Sequence, residues 1–339
     1  MLGSVDLLLL NQDDVEALLP MSECMDAVAE ALQALIRGEA TLPLRSIHWS
    51  PDRRGALGLM PAFTDAPDLL GVKVISYFPA NLGSDLDSHQ GMVLLFEAGR
   101  GRPIAIVDAS SITAIRTAAA SGVATRALAR AEAGDLAILG SGTQARSHLE
   151  AMRAARPLRR VRIWSRDAEH ARAFARREEA RLGLPIEPMP TPRLAVSGAD
   201  LICTTTSSSE PVLCGEWLSA GAHINAVGAC FPTARELDGP AVARARLFVD
   251  RRESALNEAG DFLLARQERW VTDAHILGEL GDVLLGRLAG RVAPGDITLF
   301  KSLGIAVEDL AAAHLVMSRA RAQGRGTRVP WGGVRHVDA

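Results

Sequence analysis

The chain has 339 residues, 48% of them hydrophobic, which is enough to form the cores of about two domains. Lys and Arg total 37 against 40 Asp and Glu, and the formal net charge of -3 excludes the strong basic field typical of nucleic-acid-binding proteins. The apolar runs are too short for a membrane span, and the first residues lack the basic region of a signal peptide. The four cysteines show no CxxC spacing, which favours reduced thiols in the cytoplasm over disulfides or a metal site.

Lysine is rare in this chain, because Lys73 and Lys301 are the only two lysines among the 37 basic residues. Lys73 lies in the apolar run GVKVISYF, and Lys301 lies in FKSLG just before an alanine-rich segment. An ammonium group is a compact charge, whereas guanidinium is a planar fork, so a lysine retained in an arginine-rich chain is a candidate for a specific role. Codon bias is the alternative explanation. An apolar setting favours a role for Lys73, since burying a charge is costly.

The first third of the chain has the pattern of a small α+β domain. Apolar residues at helical spacing predict a helix from Ser22 to Arg37, with Ser22 as its N-cap and Gly38 as its stop. Short apolar runs separated by turn residues then predict strands at Ala56–Met60, Leu70–Phe78, Met92–Glu97 and Pro103–Val107. These runs indicate a meandering sheet.

From Ser111 onward, buried strand-like runs alternate with helical stretches. This alternation predicts a Rossmann-type, doubly wound parallel sheet, giving an α/β fold overall. A final helix at Ala306–Gln323 is long enough to return to the first domain, and the arginine-rich tail after Gly324 is expected to be loose. We therefore predict a discontinuous first domain of residues 1–115 plus 305–339. The nucleotide domain, residues 116–304, is inserted into it, and a ligand cleft is expected at the junction.

A dinucleotide-binding fingerprint follows the strand Asp135–Leu139. It has the GxGxxA form, with Gly140 for the tight turn, Gly142 for close approach of a pyrophosphate, and Ala145 for helix packing. Thr143 and Gln144 begin the next helix, whose free amides attract phosphate. A structural glycine-rich turn is the alternative, but the flanking strand and helix favour dinucleotide binding.

The second strand of this domain ends in Trp164, Ser165, Arg166 and Asp167. NAD-preferring sites usually have an acidic residue here, which bonds the ribose 2′-hydroxyl. A small hydroxyl followed by arginine suits a 2′-phosphate instead, so NADPH is the predicted cofactor. Asp167 leaves NADH open, because a shift of one residue would bring it into the acidic position.

Candidate substrate-binding residues lie in the first domain and at the entrance to the second. Arg45 in LPLRSIHW, Lys73, and Arg116 in AIRTAAA are cations flanked by apolar residues, a combination that can bind a carboxylate beside a reacting carbon. Gln90 lies in the SHQG turn. Ordinary ion pairs at the surface are the alternative for either arginine. No metal site is predicted.

Together these motifs resemble the ornithine cyclodeaminase and mu-crystallin family. The resemblance extends from about residue 20 to about residue 320 and is carried by LPLR, GVKVIS, SHQ, ITAIRTAAASG, LGSGTQA, EPVLCGEWLSAGAHINAVGA, ELD and FKSLGIAVEDL. It implies a homodimer whose first domain supplies substrate contacts and the dimer interface, while the Rossmann domain binds the nicotinamide cofactor.

The resemblance also assigns roles to individual positions. Arg45, Lys73 and Arg116 match the family's carboxylate and imine contacts, with Lys73 as the catalytic residue. The cofactor-binding set that it implies, together with the fingerprint, is Arg116, Thr117, Gly140, Gly142, Thr143, Gln144, Ser165, Arg166, Asp167, Thr206, Ser207, Val227, Ala229 and Leu303.

One position departs from the cyclodeaminase pattern. Cyclodeaminases and related alanine dehydrogenases carry an acid-base Asp in a turn that reads Gly228-Ala229-Cys230-Phe231-Pro232 here, so that Cys230 replaces it. Adding water to an iminium needs such a base, whereas direct reduction of a ready-made imine has less need of one. We therefore predict an NAD(P)H-dependent ketimine reductase acting on a small imino acid, with Cys230 as a neutral wall of the substrate site. Amino-acid cyclodeamination, alanine-dehydrogenase-like deamination and non-catalytic binding of NADPH and a small carboxylate are the alternatives.

Overall fold

The computed structural model describes residues 5–81 and 84–332. Its strands in chain order are β1 Val5–Leu10, β2 Ala40–Thr41, β3 Ser46–Trp49, β4 Ala56–Asp65, β5 Asp68–Tyr77, β6 His89–Glu97, β7 Pro103–Asp108, β8 Asp135–Leu139, β9 Arg160–Trp164, β10 Ile186–Pro188, β11 Leu201–Thr204, β12 His223–Ala226, β13 Ala245–Val249, β14 Ile276–Glu279, β15 Ile297–Lys301 and β16 Thr327–Trp331. Its helices are α1 Gln12–Leu18, α2 Met21–Arg37, α3 Ala109–Leu128, α4 Thr143–Ala155, α5 Ala168–Leu182, α6 Pro192–Val196, α7 Gly239–Arg244, α8 Arg252–Glu258, α9 Gly260–Gln267, α10 Leu280–Leu284 and α11 Ala306–Gln323.

The chain divides into two compact units. Unit 1 contains the residues up to Arg116 and those from Ile305 onward, and unit 2 contains Thr117–Gly304. The first dividing point therefore lies inside α3, whereas the second directly precedes α11.

Unit 1 is built on a mixed sheet, which in the described part of the chain has eight strands. Its order is β16-β1-β7-β6-β5-β4-β2, and β3 also pairs with β4. Neighbours are antiparallel except β1 and β7. The four strands predicted from the sequence correspond to β4 to β7, and the predicted meander is confirmed. It also extends beyond those four strands, because β1 forms from the leucine run near the start of the chain.

The helices of unit 1 form where the apolar spacing predicts them. Helix α2 ends at Gly38, which adopts φ +79°, a conformation that glycine tolerates without strain. Its predicted N-cap is wrong, because the helix begins at Met21 and Pro20 is the cap residue. Helix α11 has the predicted bounds and packs against the sheet, where a Cβ at Gly71 would lie 3.0 Å from the Leu310 side chain.

The two faces of this sheet differ in exposure. Strand residues alternate between faces, and one face is buried, as shown by Met60, Ala62, Lys73, Val93 and Leu95. The opposite face is also apolar, but it is only half-buried or exposed; it comprises Leu57, Leu59, Phe63, Leu70, Val72, Val74, Met92, Leu94, Phe96 and Ile106. We call this set the outer face. Antiparallel sheets of monomers usually place polar residues there.

The expectation of a loose tail after Gly324 is wrong for its described part. Thr327–Trp331 forms β16, which pairs antiparallel with β1 from Val5↔Trp331 to Leu9↔Thr327. The edge of β1 offers unpaired main-chain groups, and a second strand satisfies them. Residues 333–339 of the tail lie outside the described residues.

Unit 2 confirms the predicted doubly wound parallel sheet. Its described strands are all parallel, in the order β10-β9-β8-β11-β12-β15-β13-β14. The central strands β11, β12 and β15 are buried along their whole length, as expected for strands covered on both faces. Strand order reverses between β8 and β11, and the carboxyl ends at such a switch point are where dinucleotides bind.

Candidate functional site

The phosphate loop lies at the switch point of unit 2. Gly140 has φ +119°, and a Cβ there would lie 2.7 Å from the carbonyl oxygen of Thr205, so the turn requires glycine. Gly142 is the N-cap of α4, and a Cβ at Gly142 would meet no atom within 4 Å. An open, side-chain-free N-terminus of a helix offers its amides to an anion. These residues therefore fit a pyrophosphate, with Thr143 and Gln144 in the first turn.

The end of β9 provides the groups predicted to select the adenosine ribose. Ser165 lies beside the phosphate loop, because the Ser141 hydroxyl donates to its Oγ at 3.0 Å. Arg166 is exposed. Asp167 is the N-cap of α5, where its carboxylate accepts from the Glu169 amide at 2.8 Å, and this bond lowers the pKa of Asp167. The carboxylate of Asp167, which kept NADH as an alternative cofactor, thus has a local role as a helix cap.

The remaining predicted cofactor residues of unit 2 lie after other strands of the same sheet. Thr206 and Ser207 follow β11, and Val227 and Ala229 follow β12. Leu303 follows β15 and is fixed through its main-chain amide, which donates to Asp250 Oδ2 at 2.6 Å. Thr117 is buried in α3.

Cys230 is half-buried in the turn after β12, and its thiol donates to the Val227 carbonyl at 3.3 Å. The side chain predicted to replace the acid-base Asp is therefore a hydrogen-bond donor to its own loop. This contact is compatible with a neutral wall residue.

Unit 1 contains a buried cluster of two cations and two carboxylates. Lys73 Nζ is 2.9 Å from Asp309 Oδ1 and 2.8 Å from Asp309 Oδ2, and it also donates to Thr113 at 3.3 Å. Arg116 donates through Nε to Asp309 at 2.8 Å and through Nη1 to Glu308 at 2.9 Å. We call Lys73, Arg116, Glu308 and Asp309 the cation cluster. One carboxylate, that of Asp309, holds two of the three predicted substrate cations, Lys73 and Arg116, in place.

The cluster tunes its two cations in opposite directions. Burial lowers the pKa of Lys73 to about 8, and the charge of Arg116 adds to this effect, while Asp309 opposes it. Burial also acts to lower the pKa of Arg116, but Asp309 and Glu308 outweigh it and raise that pKa. Lys73 is thus a cation that can release its proton near neutral pH, whereas Arg116 is a permanent charge.

The other two predicted substrate residues have different surroundings. Arg45 is half-buried in the segment between β2 and β3, and its charge is among those that lower the pKa of Lys73. Gln90 is exposed on β6 and donates to the main-chain carbonyl of Asp87 at 3.1 Å. The structure therefore links Arg45 to Lys73 electrostatically, while Gln90 bonds within its own turn.

Sequence reasoning missed the acidic half of the cation cluster. Glu308 and Asp309 lie in the first turn of α11, and both are fully buried. A signal was present, because two adjacent acids open a helix whose next residues are Leu-Ala-Ala-Ala. Acids on a buried helix need cationic partners.

Lys301 is also buried and paired. Its Nζ is 2.9 Å from Asp261 Oδ2 in unit 2, and its side chain is 1% exposed. Burial acts to lower its pKa, but the charges of Asp261 and of nearby groups including Glu236 raise it. The second lysine of the chain is therefore a buried permanent cation.

The chain matches known proteins over nearly its whole length. The model of the ornithine cyclodeaminase/mu-crystallin family matches residues 5–324. The ketimine reductase mu-crystallin of Mus musculus is 42% identical over 279 residues, 82% of this chain and 85% of the relative. The delta(1)-pyrroline-2-carboxylate reductase of Bacillus cereus is 36% identical over 325 residues, 95% of this chain and 99% of the relative.

A solved structure gives the same result for the fold. The Thermococcus litoralis delta(1)-pyrroline-2-carboxylate reductase, in complex with NADH and L-proline, aligns with a TM-score of 0.92 and 37% identity. The alignment covers 95% of this chain and 100% of that one. Within the described residues, no helix is long and apolar enough to cross a membrane, and no group of three or more His, Cys, Asp or Glu side chains could hold a metal ion.

Proposed function

The chain belongs to the ornithine cyclodeaminase/mu-crystallin family, and on that basis we propose that it is an NAD(P)H-dependent ketimine reductase. Its substrates are imino acids, such as the cyclic imines 1-pyrroline-2-carboxylate and 1-piperideine-2-carboxylate, which it reduces to L-proline and L-pipecolate. The relatives named for ketimine and pyrroline-2-carboxylate reduction support this reaction. The observation that carries the proposal is the cation cluster, where a lysine with a lowered pKa is fixed beside a permanent arginine.

In the proposed mechanism, Arg45 and Arg116 bind the substrate carboxylate. The bonds of Arg116 to Asp309 and Glu308 use two of its five N–H donors, so others can serve the substrate. Lys73 donates its proton to the imine nitrogen, and a pKa of about 8 suits an acid that works near neutral pH. The bound nicotinamide cofactor supplies the hydride that the protonated C=N carbon accepts.

Two features support NADPH over NADH. Ser165 and Arg166 occupy the end of β9, where a hydroxyl and a guanidinium suit a 2′-phosphate. Asp167, the only acid among the residues predicted to contact the cofactor, is used as the cap of α5. Replacing Arg166 by alanine should therefore weaken NADPH binding more than NADH binding. Equal loss of both would contradict this preference.

Two further properties follow from the same proposal. The outer face of unit 1 exposes a continuous apolar surface, and large apolar surfaces of this kind mark protein interfaces. We assign this face to a homodimer contact.

A cytoplasmic location fits the four unpaired cysteines. Two of them, Cys24 and Cys203, are buried, and burial raises the pKa of each thiol to about 12.

The test uses the purified full-length chain with NADPH and a panel of cyclic and linear imino acids. Ketimine reduction consumes NADPH with the loss of its absorbance near 340 nm, and the matching amine appears. Ammonia release from ornithine with catalytic NAD would instead indicate cyclodeamination. NADPH binding without turnover of any imine would indicate a binding protein. Lys73→Met should abolish turnover while leaving NADPH affinity nearly unchanged, and retained turnover would exclude Lys73 as the proton donor.

A further inference from the structure

Glu236 of the ELD motif has no role in the proposed reaction, yet its carboxylate is the most heavily bonded acid beside the cofactor crevice. It is fully buried and lies in the loop after β12. Oε1 accepts from the Thr206 amide at 2.6 Å and the Thr206 hydroxyl at 2.7 Å. Oε2 accepts from the Thr204 hydroxyl and the Gly228 amide, both at 2.7 Å. Burial and the charge of Asp261 raise the pKa of Glu236, whereas Lys301 and the bonds from Thr204 and Thr206 favour its ionised form. A carboxylate has about four acceptor positions, and donors occupy all of them here.

These four bonds join two loops that end neighbouring strands. Thr206 follows β11, and Gly228 follows β12, which pairs with β11 in the same sheet. The switch point lies between β8 and β11, so the adenosine half of a dinucleotide belongs on the β9 side, near Ser165. The nicotinamide half therefore belongs on the side of β11 and β12. Glu236 ties together the two loops of that half.

The main chain at Glu236 is itself held by a second carboxylate, that of Asp261. Asp261 Oδ1 accepts from the main-chain amides of Glu236 and Leu237 at 2.7 and 2.9 Å. Lys301 Nζ is 2.9 Å from the other oxygen of Asp261 and balances its charge. The packing leaves little freedom, because a Cβ at Gly228 would lie 2.0 Å from the Thr206 carbonyl oxygen and 2.7 Å from the Glu236 carboxyl group. The ELD motif and the lysine of FKSLG thus belong to one buried network.

We propose that Glu236 is a positioning residue for the nicotinamide half of the cofactor, and that Asp261 and Lys301 fix it in place. The inference rests on the proposed cofactor-binding function of unit 2. Glu236 lies behind the loops and acts through them: its carboxylate sets the spacing between the main chain at Thr206 and the main chain at Gly228. Losing that carboxylate should weaken the binding of the nicotinamide half of the cofactor and leave the binding of the adenosine half unchanged.

The experiment compares Glu236→Gln with wild type by measuring two dissociation constants. Glutamine keeps the shape and one oxygen, but its NH₂ group faces N–H and O–H donors and leaves buried donors unpaired. We expect the dissociation constant for NADH, read from nicotinamide fluorescence, to rise about tenfold or more. The dissociation constant for ADP-ribose, which lacks nicotinamide, should stay close to the wild-type value.

Asp200→Asn is the matched control. Asp200 also accepts from two main-chain amides of unit 2, those of Gly134 and Asp135, at 3.0 and 3.2 Å. It lies directly before β11, at the amino end of the strands, opposite the crevice. Asp200→Asn should lower the thermal unfolding midpoint, as a structural carboxylate would, while the affinities for NADH and ADP-ribose stay nearly unchanged.

Three results would overturn the inference: unchanged NADH affinity in Glu236→Gln, an equal loss of NADH and ADP-ribose affinity, or the same nicotinamide-specific loss in Asp200→Asn. Wild-type protein that binds neither NADH nor NADPH would instead refute the proposed function. If Glu236→Gln does not fold, Thr204→Val removes one buried hydroxyl donor and should give a smaller loss of NADH affinity. Hydrogen exchange at the Thr206 and Gly228 amides should then be faster, and unchanged exchange would count against the positioning role of Glu236.

Discussion

The substitution Asp309→Asn tests the electrostatics of the cation cluster most directly. Asp309 is fully buried, within 2.9 Å of Lys73 and 2.8 Å of Arg116, and its charge supports the protonated form of Lys73. Removing an opposite charge at this distance should lower the pKa of Lys73 from about 8 by about one to three pH units. Leaving a buried cation short of its partner should also cost about 3–5 kcal/mol of unfolding free energy.

The composition of the chain makes this pKa directly measurable. Labelling lysine with ¹³C at Cε gives only two signals, from Lys73 and Lys301, and Lys73→Arg removes one of them and so assigns both. In wild type the Lys73 signal should titrate near pH 8, and in Asp309→Asn at a more acidic pH. The alkaline limb of kcat/KM for imine reduction should move with it, because this limb reports the free enzyme.

Glu308→Gln is the control for a general loosening of the cluster. Glu308 bonds Arg116, whereas the charges that affect the pKa of Lys73 most are those of Arg116, Asp309 and Arg45. It should therefore destabilise the chain while leaving the Lys73 titration nearly in place. A wild-type Lys73 that titrates near pH 10, or one that Asp309→Asn does not shift to acid, would refute this account of the cluster.

Three further predictions use other parts of the structure. Gly140→Ala should reduce both the stability of the fold and the affinity for NADH, since the added Cβ would meet Thr205. Gly142→Ala should reduce only the affinity for NADH. Calorimetric unfolding measures the stability, and fluorescence titration measures the affinity. The pKa of Lys73 in the folded chain lies below its unfolded value of about 10.4, so the unfolded chain binds more protons between about pH 8 and 10.4. The free energy of unfolding of wild type, relative to that of Lys73→Met, should therefore rise from about pH 8 to pH 10.4. Urea unfolding at several pH values measures this difference. Phe63→Glu with Met92→Glu should convert the proposed dimer to monomer in light scattering; a mass unchanged from wild type would exclude the outer face as the interface.

Local pattern was sufficient for much of the fold. The bounds of α11, the stop of α2 at Gly38 and the parallel sheet of unit 2 follow from apolar spacing, glycine and alternating buried strands. The described tail was not predictable in this way, because β16 forms only where the distant edge of β1 is available. Polar or arginine-rich segments carry little strand signal of their own.

In the functional site, too, local motifs were predictable from the sequence and contacts between distant residues were not. The phosphate loop is a local motif, and its glycines could be given roles from sequence alone. The pair formed by Lys73 and Asp309 spans 236 positions, and that of Thr204 and Glu236 spans 32 positions, so only the folded chain identifies the partners. An isolated acidic residue in a sequence is expected at the surface. Whether it is buried depends on which strands and helices cover it in the fold.

The two lysines show what separates a proton donor from a fixed charge. Each is almost fully buried, and each lies within 3 Å of an aspartate. Lys73 also has Arg116 beside it, so a second cation opposes its charge and its pKa falls to about 8. Lys301 has acidic groups beside it, Asp261 first and then Cys230 and Glu236, and together they raise its pKa instead. Burial penalises both ammonium groups, and the surrounding charges add to that penalty at Lys73 and oppose it at Lys301. The rarity of lysine identifies the two positions, and the neighbouring charges make Lys73 the proposed acid and Lys301 the proposed support of the cofactor loops.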